Sequence, residues 1–172
     1  MARTLDIQPL ERASFAPFGD VIDMQGGHHF AINKGATVRY HDIGRIHAEP
    51  EAGHVAISLA RSQPLPSPLN IEMLERHPLA SQAFIPQGQK PFIVVVAPPG
   101  EQIDSQSIRA FLCDGSQGVN YHPGVWHHSL LALAPDQDFV LVDLITQKHN
   151  CDEHCFEADE QRRLEYSHLL CV

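Results

Sequence analysis

The run FIVVVA, residues 92–97, carries six apolar side chains in succession. Successive side chains of a strand point to opposite faces, so this segment is apolar on both. That pattern predicts a central strand covered from two sides. Around it lie short apolar or alternating runs: TVRYHDI, HVAISLAR, NIEMLERH, QAFIP, RAFLC, GVNYH, VWHHSLLAL and DFVLVDLI. Turn formers separate them, including Gly44, Gly53, QPLPSP, PPGE, DGSQG, Pro123-Gly124 and APDQ. Many short strands at close spacing predict an all-β sandwich or barrel. A short helix is expected in LERASF, stopped at Pro17 and Gly19, and a loop over QGGHHFAINKGA. No long amphipathic helical period interrupts residues 36–146, the expected barrel. The charged tail, residues 147–172, is expected to end in a helix that packs outside the barrel or on a partner.

Length and charge narrow the functional classes. The chain has 172 residues, enough for one domain with a full core. Its formal charge is −9, and its 12 Lys and Arg form no cluster, which argues against nucleic acid as a partner. No apolar run approaches membrane-spanning length, and the N-terminus carries no apolar signal core, so a soluble cytoplasmic protein is expected. Cysteines stand at 113, 151, 155 and 171. Cys151 and Cys155 have His149 and His154 interleaved, but no second pair of ligands at zinc-site spacing accompanies them, and reduced surface thiols are the expectation.

Two segments concentrate polar chemistry. In MLERHPLASQAFIP, Glu75 and His77 share a strand face, and the turn Pro78–Ser81 is expected to bring Gln82 and Phe84 back across a hairpin. In GVNYHPGVWHH, Asn120 and His122 share a face. The Pro123-Gly124 turn is expected to return His127, or else His128, to the same side. Two such hairpins aimed inward make a polar pocket in an apolar core. His77 and His127 titrate near neutrality and suit proton transfer. Glu75 is placed to orient His77 or to act as a base itself. Gln82 and Asn120 offer amide donors and acceptors. For an anionic substrate group the candidates are Arg39, which shares a face with His41, and Arg61, at the end of HVAISLAR. Asp143 stands in the apolar run FVLVDLI, either as a partner to the site or at an emerging strand end. Tyr121 and Trp126 are expected in the walls or core.

The spacing resembles the two cupin motifs. Where the first normally reads His-x-His, then Glu, then Gly, this chain has Glu75-x-His77, Gln82 and Gly88. The second normally carries Pro-x-Gly-x-x-His; here Gly124-x-x-His127 fits, and His122 replaces the proline. FGDVID, RYHD, LERHPLASQAFIP, FIVVVA, RAFLCDGSQGVNYHPGVWHH and NCD follow in order. Together they resemble the ureidoglycolate lyase family, also called ureidoglycolate hydrolases, over about residues 5–155. The resemblance implies a cupin-like double-stranded β-helix, generally a homodimer. It implies cleavage of (S)-ureidoglycolate to glyoxylate and urea in allantoin and purine catabolism. His77, His127 and Glu75 are then the catalytic candidates, with Arg39, Arg61, Gln82, Asn120 and His122 on the substrate. Glu75 and Gln82 replace a histidine and a glutamate of the usual metal set. Any ion on His77, His127 and Glu75 is therefore expected to be a weakly held Ni, Mn or Zn. No organic cofactor is expected. The alternatives are another small-molecule cupin enzyme, a metal-dependent isomerase or dioxygenase, or a non-catalytic small-molecule-binding cupin.

Overall fold

The computed structural model describes residues 3–25 and 27–170. Phe92–Ala97 is indeed buried on both faces and sits inside a seven-stranded sheet. Its neighbours are Arg109–Cys113 on one side and Trp126–His127 with Leu131–Ala132 on the other. Phe92, Val94 and Val96 enter one core with Phe15, Val119, Tyr121 and Phe139. Ile93, Val95 and Ala97 enter a second core with Ile71, Leu74, Trp126 and Leu164. The alternation of one strand thus feeds two cores and makes the seven-stranded sheet the middle layer.

The first core is closed by a five-stranded sheet in the order Gly19–Ile22, Gly118–Tyr121, Gln82–Gln87, Gln137–Thr146, Gly53–Ser62. The second is closed by three short strands, Arg3–Thr4, Arg162–Leu164 and Leu69–Ile71. The architecture is all-β and cupin-like, a two-sheet barrel with an added outer layer. The expected helix forms as a single turn, Arg12–Phe15, which plugs Phe15 into the first core.

Three local expectations give way. Residues 25–36 were expected as loop, but His29–Ile32 pairs with Thr37–Tyr40 as a two-stranded ribbon. Among the described residues, the end of the tail is not helical beyond one 3-10 turn, Ser167–Leu169. Instead Asp152–Cys155 joins the edge of the middle sheet and Arg162–Leu164 the outer layer. In the latter strand Arg162 and Leu164 are buried and Arg163 is exposed, so period-two burial outweighs the charge of the segment. Third, neither expected hairpin is one. Met73–Arg76 pairs with Trp126–His127 and Asp152–Cys155 in the middle sheet, whereas Gln82–Gln87 lies in the five-stranded sheet. Gly118–Tyr121 and Trp126–His127 are divided in the same way. Both turns carry the chain from one sheet to the other. Glu75 and His77, expected beside Gln82, therefore face it across the barrel interior.

The double burial sets a stability contrast. Ile93→Ala removes a side chain that is fully enclosed in the second core and is expected to cost about 2–5 kcal/mol. Val38→Ala, on the exposed ribbon, is expected to stay within about 0.5 kcal/mol. Chemical denaturation of both variants checks the difference.

Candidate active site

Strand register decides which side chains reach the interior. Val96 pairs with His127, and His127 with Glu75. Cross-strand partners share a face, so His127 and Glu75 point with Val96 into the first core. His77, one residue beyond the strand Met73–Arg76, points the same way as Glu75. The His77 and His127 rings lie 5.2 Å apart between centroids. His127 Nε2 lies 3.6 Å from Glu75 Oε1. Ligand atoms of Glu75, His77 and His127 all fall within 4.8 Å of one another. The Pro123-Gly124 turn that leads into Trp126–His127 is pinned to the other segment by a hydrogen bond from Gly124 N–H to the His77 carbonyl, 3.0 Å, with Gly124 at φ +78°.

Backbone carbonyls hold both imidazoles. His77 Nδ1 lies 2.7 Å from the Asn150 carbonyl oxygen, and His127 Nδ1 lies 2.9 Å from that of Val125. A carbonyl only accepts, so each Nδ1 carries the proton and donates it. In the neutral rings Nε2 is then the free lone pair. Both Nε2 atoms are buried and make no hydrogen bond within the protein. The imidazole beside Glu75 holds its carboxyl below the ordinary range, against the opposing effect of burial. Two imidazole lone pairs and a carboxylate at this separation fit a divalent cation.

The opposite wall is a row across the five-stranded sheet. Tyr121 pairs with Gln82, and Val142 pairs with Ala83, so the same register carried one step sets Asp143 beside Gln82. Tyr121 is 1% exposed and stacks on His127 at 4.5 Å between ring centroids. Burial pushes its hydroxyl pKa well above the usual tyrosine value. Tyr121 Oη, Gln82 Oε1 and Asp143 Oδ1 are buried and make no hydrogen bond within the protein. A cavity of about 350 Å³ opens beside these groups, lined by His77, Gln82, Asp143, Lys148, Asn150 and Cys151 among others. It suits a small polar ligand. The Cys151 thiol sits 3.7 Å from Glu75 Oε2, with its pKa raised by burial and by that carboxylate.

Of the residues singled out in the sequence, Glu75, His77, His127 and Gln82 come together here. Asn120 does not, because it pairs with Ala83 and so faces away from Gln82. Its Nδ2 donates to Asp20 Oδ2 at 2.8 Å and to the Arg45 carbonyl at 3.0 Å. His122 lies on that side too, with Nε2 3.3 Å from Asp20 Oδ1. His128 bonds locally, its Nδ1 2.9 Å from the Ser129 carbonyl oxygen, and burial lowers its pKa. Arg61 is exposed and gripped by both carboxylate oxygens of Asp138, at 2.7 and 2.9 Å. Arg39 is exposed on the ribbon, across from Phe30. Neither arginine lines the cavity. Sequence reasoning put Tyr121 in the walls or core and left Asp143 either as a partner to the site or at an emerging strand end. The signal for Tyr121 was its parity with Val119, since both belong to the apolar face of their strand.

A family profile described as ureidoglycolate lyase matches residues 2–162. The chain belongs to the ureidoglycolate lyase family. A ureidoglycolate lyase of Pseudomonas paraeruginosa (strain DSM 24068 / PA7) is 50% identical over 163 residues, 95% of this chain and 96% of that protein. One from Azotobacter vinelandii (strain DJ / ATCC BAA-1303) is 48% identical over 159 residues, 92% of this chain and 96% of the relative. Among solved structures the chain is similar to a dTDP sugar isomerase from Desulfovibrio desulfuricans G20. That likeness has a TM-score of 0.40 and 15% identity, covering 82% of this chain and 84% of the other.

Removing the Tyr121 hydroxyl tests the description of the wall. Tyr121→Phe deletes a buried group with no partner in the protein, so its effect on stability is expected to lie between neutral and a gain of about 1 kcal/mol. Thermal unfolding of the two proteins measures it; a loss beyond about 1 kcal/mol means that the hydroxyl is bonded.

Proposed function

We propose that the chain is a ureidoglycolate lyase that cleaves (S)-ureidoglycolate to glyoxylate and urea in allantoin degradation. The observation that carries this reading is the pair of imidazoles, each with Nδ1 tied to a carbonyl and Nε2 free in the interior. The substrate is a hemiaminal whose central carbon bears a hydroxyl, a carboxylate and a ureido nitrogen. Cleavage needs a base for the hydroxyl proton and an acid for the departing nitrogen. His77, which lines the cavity, takes the hydroxyl proton on Nε2. The carbon–oxygen double bond forms as the carbon–nitrogen bond breaks, and its electron pair leaves on the urea nitrogen. His127, in its protonated form beside Glu75, returns a proton to that nitrogen.

Where a divalent ion, Ni, Mn or Zn, occupies the cluster instead, Glu75 and the Nε2 atoms of His77 and His127 would hold it, and those imidazoles would then position the ion and not move protons. Such an ion supplies polarisation of the substrate hydroxyl and carboxylate. Binding is weaker and more exchangeable on this reading than in the four-ligand cupin set, because Glu75 and Gln82 stand where that set has a histidine and a glutamate. We further propose that the enzyme acts as a homodimer in the cytoplasm. The exposed apolar side chains of the edge strand Gly53–Ser62, Ile57 at 77% and Leu59 at 72%, support self-association through that face. Among the described residues, no helix is long and apolar enough to cross a membrane.

His77→Ala and His127→Ala are expected to fold and to lose about 10²- to 10⁴-fold in kcat/KM. Release of glyoxylate and urea by the purified proteins is the measurement. Near wild-type turnover in both variants would place the reaction elsewhere. Chelation is expected to lower wild-type activity only partly, and more than one divalent ion is expected to restore it. Tight stoichiometric metal by elemental analysis would contradict the weak site.

A further inference from the structure

The catalytic reading above leaves one polar row without a task; Asp143 and Gln82 of that row line the cavity, and Tyr121 is enclosed next to Gln82. Asp143, Gln82 and Tyr121 stand in adjacent strands on one transverse row, opposite the imidazoles. Each presents a buried oxygen that makes no hydrogen bond within the protein. Three such atoms in one row are unusual, because a buried polar group without a partner destabilises the fold by about 1–3 kcal/mol. No packing role accounts for Asp143. It follows Phe139 and Leu141 on the inner face of its strand and lies opposite Ala56 on the neighbouring one. A leucine there would serve the core better.

We infer that Asp143, Gln82 and Tyr121 form the subsite for the ureido group and fix which way round the substrate lies; this rests on the lyase reading. The match is one of donors and acceptors. A ureido group offers three N–H donors and one carbonyl oxygen. Asp143 Oδ1 and Gln82 Oε1 are acceptors for the N–H groups, and the Tyr121 hydroxyl is the donor for the carbonyl. Charge does not oppose this orientation. Both arginines proposed from sequence lie outside the cavity, and each wall carries one carboxylate, Asp143 on one side and Glu75 on the other. The cation in the cavity lining for a substrate carboxylate is Lys148. The ureido end is left to the row. Asp143 is on this account a specificity-determining residue, and its strand position is kept at the expense of stability.

Two ligands that each carry part of the substrate separate the subsites. Ureidoacetate has the carboxylate and the ureido group; glycolate has the carboxylate and the hydroxyl. Calorimetry with wild type and Asp143→Asn is expected to show ureidoacetate weakened roughly 10- to 100-fold in the variant, the range of a lost charge-assisted hydrogen bond. Glycolate affinity is expected to stay within about twofold, and the melting temperature to hold or rise. Tyr121→Phe is expected to weaken ureidoacetate alone, by a smaller factor. Equal loss for both ligands, no loss for either, loss for glycolate alone, no ureidoacetate binding to wild type, or a lowered melting temperature in Asp143→Asn would each overturn the subsite. If the selective loss is found but wild type releases no glyoxylate and urea from ureidoglycolate, the subsite stands and the lyase reading falls.

Discussion

The register that pairs Val96 with His127 and His127 with Glu75 is the constraint on which the rest of the structure depends. Val96 belongs to a strand with no free face. Its side chain must enter the first core because Val95 and Ala97 enter the second. That parity passes across the sheet to His127 and Glu75 without any choice left to the polar residues. A slip of one residue would turn Trp126 into the first core and His127 into the second. The most apolar strand of the molecule thereby fixes the direction of its most reactive side chains.

The same logic runs through the facing sheet. Val119 and Tyr121 share a face, and Tyr121 hands it on to Gln82 and, one strand further, to the row of Asp143. Two sheets thus present two polar rows to one interior, one of two imidazoles with a carboxylate and one of oxygens. In each imidazole a backbone carbonyl fixes the tautomer, and the second nitrogen is left for chemistry. Buried groups in a stable core are normally satisfied by the protein itself. Here five side chains on two walls are not, and the fold carries their desolvation because the strands around them are held by two continuous cores.

Much of this was legible in the sequence. FIVVVA announced a doubly covered strand, and the spacing of Glu75, His77 and His127 announced a polar cluster. The connection between them was not legible. A turn such as Pro78–Ser81 reads the same whether it closes a hairpin or crosses between sheets, because local dihedrals do not reveal which strand lies alongside. That ambiguity put Asn120 beside Gln82, whereas the register sends it to Asp20 and the Arg45 carbonyl. The arginines misled for a different reason. A guanidinium suits a carboxylate wherever one is found, and Arg61 meets Asp138 directly across its strand pair. Asp143 was visible as an anomaly in an apolar run, but its meaning depended on neighbours from two other strands.

The central claim is that the reaction takes place between the two rows and not in the second histidine cluster on the other face of the sheet. There the His47 and His122 rings lie 6.4 Å apart beside Asp20. Nitrogen NMR of ¹⁵N-histidine-labelled protein titrated with glyoxylate distinguishes the two among all 12 histidines. The account predicts that the Nε2 resonances of His77 and His127 move on titration, while those of His47 and His122 stay in place. Shifts at His47 and His122 with His77 and His127 unmoved would contradict it.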